Sequence, residues 1–210
     1  MALLSLTQLL ALLALLFAAA AFALRWRWAA QRPLADDRAP MKGSPARGVL
    51  YAFTFGMAPW AKESTRRHMI AYLRGVGFHI GIFAGLAALL TSPWWPLVPD
   101  SARWLFAFVI GFGAWLGFVG EIMRQVEHNL RALSTPDDHA SVLLVSVFLA
   151  TASIALINVG WLPAMYLASA LMLIYAPLGK IRHCVYFFFS RRFFGLFVGR
   201  RAVIHSEATR

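Results

Sequence analysis

The stretch VGFHIGIF, Val76 to Phe83, carries a histidine in a run with no other polar side chain. An imidazole can move a proton, take part in hydrogen bonds at both ring nitrogens, or offer one of them to a metal. Each use needs a partner, because an ionisable group in apolar surroundings is costly on its own. Five residues before His79 stands Arg74, and Gly77, Gly81 and Gly85 recur at intervals of four, which sets them on one helix face. Such a row of small residues lets a second helix, or a flat ligand, approach the backbone, helix packing being the commoner use. Gly113 and Gly117 can answer the same need further along. A second histidine, His183, stands in YAPLGKIRHCVYFFF, behind Pro177, which can bend a helix, and Lys180 and Arg182, whose long stems can reach headgroups. Two neutral imidazoles from two helices, facing each other across a gap, are what a six-coordinate haem iron requires. The competing use of each is an ordinary hydrogen bond within a helix bundle.

Composition says what surrounds these residues. With 60% hydrophobic and 14% charged residues and a mean hydropathy of +0.64, the chain lies far from the soluble average and reads as a polytopic membrane protein. Five apolar segments predict an all-α protein of five transmembrane helices: Ala2 to Leu24, Ile70 to Thr91, Trp104 to Met123, Ser141 to Val159, and Leu162 to about Leu178. The first lacks a small-residue cleavage site before its basic flank, so it is expected to be retained. Only NVGWLP separates the fourth and fifth, which predicts an antiparallel hairpin closed at Pro163. Hydropathy sets His79 roughly 13 Å into the second helix and His183 near the rim of the fifth. Tilt, the bend at Pro177 or a shorter buried start near Arg74 must absorb that difference.

The net charge is +11, and its distribution is uneven: nine Lys or Arg fall between Arg25 and Arg67, two follow the third helix and seven follow Leu178. SPWWPLVPDS and NVGWLP hold none, and Trp94, Trp95, Trp104 and Trp161 cluster on their side. This asymmetry predicts the N terminus outside and the C terminus cytoplasmic, with the long first loop also in the cytoplasm. Charge that flanks membrane segments in this way excludes a nucleic-acid role for the high isoelectric point. The single cysteine, Cys184, excludes an internal disulfide framework and a cluster-binding cysteine set.

The first loop is too long for a plain connector. Its first half, rich in Pro and charge, reads as irregular; GVLYAFTFGMAPW is apolar enough to lie on the membrane surface or under a partner, and Ser64 or Thr65 can cap the second helix. The tail CVYFFFSRRFFGLFVGRRAVI alternates aromatic and basic patches and predicts an interfacial C-terminal helix that extends the fifth. His68, His128, His139 and His205 fall in loops or at helix ends, where a solvated polar role is expected.

GFHIGIF on a second helix and YAPLGKIRH closing a fifth resemble the gamma subunit of respiratory nitrate reductase and its wider group of membrane cytochrome b proteins. That group includes the cytochromes that partner heterodisulfide-reductase-like iron–sulfur proteins. The resemblance covers most of the chain, through helix count, orientation and the aromatic-basic tail. It implies that His79 and His183 bind one b haem near the cytoplasmic face. A second, distal haem would need ligands at the positions of Leu89 and Met165; leucine cannot ligate iron, so the resemblance implies a single haem. Arg74 and His68 are then the nearest groups for a haem propionate or for proton exchange with a quinone oxygen. The division implied is a transmembrane helix at 1–24, a basic cytoplasmic loop with a surface-lying segment at 25–69, a four-helix haem-binding core at 70–190 and a cytoplasmic tail at 191–210.

The function expected on this basis is electron transfer between membrane quinone and a cytoplasmic iron–sulfur protein subunit, in a bacterial inner (plasma) membrane. No Gly-rich nucleotide loop or catalytic triad is present, so substrate chemistry would belong to another chain. Two readings from other classes compete: a haem-free membrane anchor or assembly subunit, and a small transporter with His79 and Arg74 along a polar path. A transporter would be expected to show several intramembrane charges, whereas the segment that carries His79 holds only Arg74.

Overall fold

The computed structural model describes residues 2–35, 37–61 and 63–203, and these are helical with no strand. Among them nine α-helices run in the order α1 Ala2–Ala30, α2 Pro45–Phe53, α3 Glu63–Arg67, α4 Met69–Thr91, α5 Asp100–Val126, α6 His128–Leu133, α7 Pro136–Ile157, α8 Leu162–Tyr175 and α9 His183–Arg200. The helices α1, α4, α5 and α7 are each long and apolar enough to cross a membrane, and a fifth span results if the bent pair Val159–Tyr175 and Lys180–Arg200 is counted as one. The all-helical expectation of four to five spans therefore holds. Boundaries differ: α1 runs on to Ala30, α5 starts at Asp100 and α7 at Pro136, each several residues beyond the apolar run, while α8 ends at Tyr175, and a turn and a short 3-10 segment at Lys180–Arg182 intervene before α9 begins. The tail forms the expected C-terminal helix, set off from the fifth by this break rather than continuing it. Two compact units divide the chain, Met1–Ala21 with Leu73–Ile181, and Phe22–Tyr72 with Arg182–Arg210.

In the first unit the core is built on α5, α7 and α8. Ile110, Phe148, Leu149, Ala152, Ala155 and Met165 are fully buried, whereas Leu105, Phe108, Ile80 and Phe83 are exposed. Outward apolar faces around a small, tightly packed centre suit a lipid solvent, which gives helices no hydrophobic reason to associate and leaves close packing to do it. Helices α5 and α7 run antiparallel: Glu121 meets His139 at one end, and Ser153 Oγ donates to the Ala107 carbonyl at 2.7 Å toward the other. Between them a Cβ on Gly117 would lie 2.2 Å from Ser146 Oγ.

Polar groups close the ends of these helices. Pro136 opens α7, and the Thr135 backbone N–H donates to Asp138 Oδ2 at 2.8 Å, a capping arrangement that satisfies one orphan donor. The α7–α8 hairpin forms as expected: Asn158 Oδ1 accepts from Gly160 N at 3.0 Å, and Pro163 sits in the first turn of α8. The buried hydroxyls of Ser92 and Tyr166, 2.9 Å apart, tie the end of α4 to α8.

The second unit pairs α2 with α9. A Cβ on Gly48 would lie 2.0 Å from the Gly195 carbonyl oxygen, and one on Gly199 2.5 Å from the Ser44 carbonyl oxygen, so the two backbones touch. Lys42 N and Gly43 N donate to the Arg200 carbonyl at 2.8 and 3.0 Å, and Arg201 donates to Asp37 at 2.9 Å. Trp26 packs on Phe189 with ring centroids 4.8 Å apart. Of the segment GVLYAFTFGMAPW, expected on the membrane surface or under a partner, Gly48 packs against the chain's own tail and Ala52 is buried, while Leu50, Phe55 and Trp60 are exposed.

Candidate functional site

His79 lies on the outward face of α4 with Val76, Ile80 and Phe83, all exposed. Its Nδ1 is 2.7 Å from the Gly75 carbonyl oxygen, one turn back. A carbonyl can only accept, so Nδ1 carries the proton, and in the neutral ring the lone pair belongs to Nε2. The Phe78 and His79 rings stand edge to face, with centroids 6.2 Å apart. An imidazole whose tautomer is set by a backbone carbonyl is the arrangement usual in metal-ligating histidines. His79 is therefore a side chain that could hold a metal ion or a haem iron.

The glycine row gives no room for a flat ligand on its own face. A Cβ on Gly81 would lie 2.7 Å from Gly113 Cα, one on Gly85 2.6 Å from a Leu149 methyl, and one on Gly77 2.5 Å from a Leu116 methyl. These glycines are used for helix contact. Two residues along a helix turn a side chain through roughly 200°, which sets His79 opposite this row. A planar group on His79 would lie on the lipid-facing side of α4.

Arg74 stands near the start of the same helix, half-buried, with a guanidinium N–H directed at Met123 Sδ. A Cβ on Gly120 would sit 3.7 Å from Arg74 Nε. Arg74 forms no ion pair with a carboxylate among the described residues. His183 is the first residue of α9 and is exposed. It belongs to the second unit and His79 to the first. His68 and His128 are exposed, and His205 lies outside the described residues. Met165 is fully buried on α8 and Leu89 is buried on α4, both as apolar packing. Among the described residues no group of three or more His, Cys, Asp or Glu is placed to hold a metal ion.

A polar cluster at the C-terminal end of α5 is not singled out by any motif in the sequence. Glu121 is buried, and its Oε1 lies 2.6 Å from His139 Nδ1 and accepts from Gln125 Nε2 at 3.1 Å. Nearby, Asp137 accepts from the Tyr175 hydroxyl and from Lys180 N, and Asp138 pairs with Lys180 Nζ. A solvated loop position is expected for His139, yet it lies in α7 with its side chain 26% exposed. The signal that points to Glu121 is its register: it extends the buried stripe of Ile110, Ala114 and Gly117 by one more turn.

No family model matches the chain, and no solved structure matches it. A translocator protein homolog of Schizosaccharomyces pombe is 42% identical over 41 residues, a stretch that makes up 20% of this chain and 23% of that protein. The match thus spans under a quarter of its relative's length. What decides the class is the set of four long apolar helices, whose outward faces are exposed Leu, Phe, Ile and Trp. The chain is a multi-pass membrane protein. Contact with the lipid bilayer follows from those faces, and its polar side chains are the ones that stand out as candidates for function.

Proposed function

We propose that this membrane protein is a haem b subunit of a respiratory oxidoreductase complex, passing electrons between quinone and an iron–sulfur partner protein. The observation that carries this reading is His79: an imidazole near the middle of an apolar span, on an outward face, with Nδ1 committed to the Gly75 carbonyl. His79 would hold the haem iron, and His183 would be the second ligand that the resemblance to membrane cytochromes b implies. Haem iron supplies a one-electron carrier that none of the side chains provides. Gly75 O fixes the His79 tautomer and ring orientation. Arg74, a cation without a carboxylate partner among the described residues, would be the group to receive a propionate or a quinone oxygen. The basic loop and tail would lie on the cytoplasmic face of a bacterial inner membrane, by the same charge asymmetry, and would face the acidic surface of the partner.

The test is the dithionite-reduced minus oxidised absorbance spectrum of the purified protein, with haem and protein quantified together. The expected result is a b-type alpha band at about one haem per chain, lost in His79→Ala and in His183→Ala. A spectrum without haem, from protein purified out of a haem-replete membrane, rejects the reading.

A haem-free anchor or assembly subunit is the second reading, and the glycine row favours it. All three of its α4 glycines are spent on contact with neighbouring helices.

A further inference from the structure

Every third or fourth residue along the inner face of α5 is apolar or small, through Ile110, Ala114 and Gly117, until the next position brings Glu121. Glu121 is 8% exposed as a residue. Its two oxygens are treated differently. Oε1 accepts from Gln125 Nε2 at 3.1 Å and lies 2.6 Å from His139 Nδ1, which itself is 3.3 Å from Gln125 Nε2. Oε2 is buried and accepts no hydrogen bond from a described residue. The His139 side chain is 26% exposed against 11% for Glu121, so the imidazole is the more accessible member of the pair.

Of the other charged groups at this end, Glu127, His128 and Arg131 are exposed, and the rest are engaged elsewhere. On α7, Asp137 is held by Tyr175 and Lys180 N, and Asp138 by Lys180 Nζ and Thr135. On α5, Arg124 donates to Ser134 Oγ at 3.1 Å. Arg74 on α4 is directed at Met123. A buried carboxylate with one oxygen unsatisfied is costly. A proton taken up by this carboxyl, on the Oε1 that faces His139 Nδ1, removes the charge and so lowers that cost.

We infer that Glu121 and His139 form a proton-transfer site at this end of the helix bundle. A proton from bulk water binds Nε2 of the neutral His139 ring, and the proton on Nδ1 crosses to Glu121. The Nδ1–H bond breaks as an O–H bond forms, and an imidazolium–carboxylate pair becomes a neutral imidazole and a neutral carboxylic acid. Release runs the same steps backwards, and nothing but the proton is consumed. The site is independent of the haem reading.

The experiment is infrared difference spectroscopy of the full chain in lipid nanodiscs, as the pH is stepped over the range in which circular dichroism shows the helices intact. The carbonyl stretch of a protonated carboxylic acid is expected to rise as pH falls and to vanish in Glu121→Gln. In His139→Leu, which removes the N–H facing the carboxylate, the midpoint is expected to move to higher pH by about one unit, a tenfold change in proton affinity. Glu121→Asp covers the case in which Glu121→Gln does not fold: it keeps the band at an altered frequency. A band that persists unchanged in Glu121→Gln and Glu121→Asp, no titrating band at all, or a midpoint unmoved by His139→Leu overturns the inference. A titrating Glu121 band in protein that holds no haem upholds the inference while the cytochrome reading fails.

Discussion

Gly81 of α4 and Gly113 of α5 meet backbone to backbone, and a Cβ built on either would lie 2.7 Å from the Cα of the other. In lipid this contact is worth what close packing gives it, since the surrounding acyl chains are as apolar as the helices. It also fixes which way α4 is turned, and so puts His79 on the outward face.

Filling that contact has a predictable effect. Gly81→Leu forces the two helices apart and is expected to cost about 1–3 kcal/mol, the usual penalty of overpacking. Gly75 is the control on the same helix, because a Cβ there meets nothing within 4 Å. Gly75→Ala should hold or slightly raise stability, as alanine loses less backbone freedom in a helix. Thermal unfolding of both variants in detergent checks the pair; equal effects would mean that the glycine contact does not hold α4 to α5.

The pairing of α2 with α9 makes a separate prediction. Gly195 comes within 2.5 Å of the Val49 Cα by the same construction, and Gly199 as close to the Ser44 carbonyl oxygen. Gly195→Leu should release the first loop from the tail, since the flanking ties, such as Arg201 to Asp37, are partly exposed ion pairs that hold little on their own. Limited proteolysis is expected to cut between Ser44 and Met57 in this variant much faster than in the parent chain. Equal rates would show that the loop is held without the glycine contact.

The contrast between these two helix contacts explains what is legible in the sequence. The spans are, because a bilayer demands long apolar runs, and the run from Ile70 to Thr91 matches α4 to within one residue. The α2–α9 contact is not, because Gly48, Gly195 and Gly199 carry no hydropathic signal, and FFFSRRFFGLF reads equally well as an interfacial surface. The break after Tyr175 is hidden since Pro177 suggests a bend, while the turn is held by Asp137, about forty residues earlier in the chain. Of the candidate site, His79 and Arg74 stand out as polar groups in an apolar run. Glu121 does not, because it sits beside the polar residues that end its helix, and only its place in the buried stripe distinguishes it.

That hold by Asp137 can be tested directly. Its carboxylate accepts from the Tyr175 hydroxyl, from Lys180 N at 3.1 Å and from Ser141 Oγ at 3.3 Å. Asp137→Ala leaves these donors without an acceptor and should lower the unfolding midpoint more than Tyr175→Phe, which removes one donor and leaves the others satisfied. Asp137→Asn retains an acceptor oxygen and should fall between the parent and Asp137→Ala. Thermal denaturation followed by tryptophan fluorescence gives the order, and an Asp137→Ala midpoint no lower than that of Tyr175→Phe would count against the carboxylate as the organiser of this turn.

Arg74 separates binding from exchange within the cytochrome reading. A cation on a membrane helix is expected to have a functional partner unless it snorkels to the interface, and its contact here is the soft acceptor Met123 Sδ. In Arg74→Leu the haem should remain, because His79 and His183 are untouched, so the reduced-minus-oxidised band keeps its amplitude. The rate of haem reduction by a water-soluble quinol should fall about tenfold, the loss of roughly 1.4 kcal/mol of transition-state stabilisation. Arg74→Lys keeps the charge and should recover part of that rate, although it loses the guanidinium fork. Met123→Leu removes the sulfur while leaving the cation, and is expected to leave the rate unchanged. A full rate in Arg74→Leu would take Arg74 out of the exchange site, and loss of the band itself would make it a haem-holding residue instead.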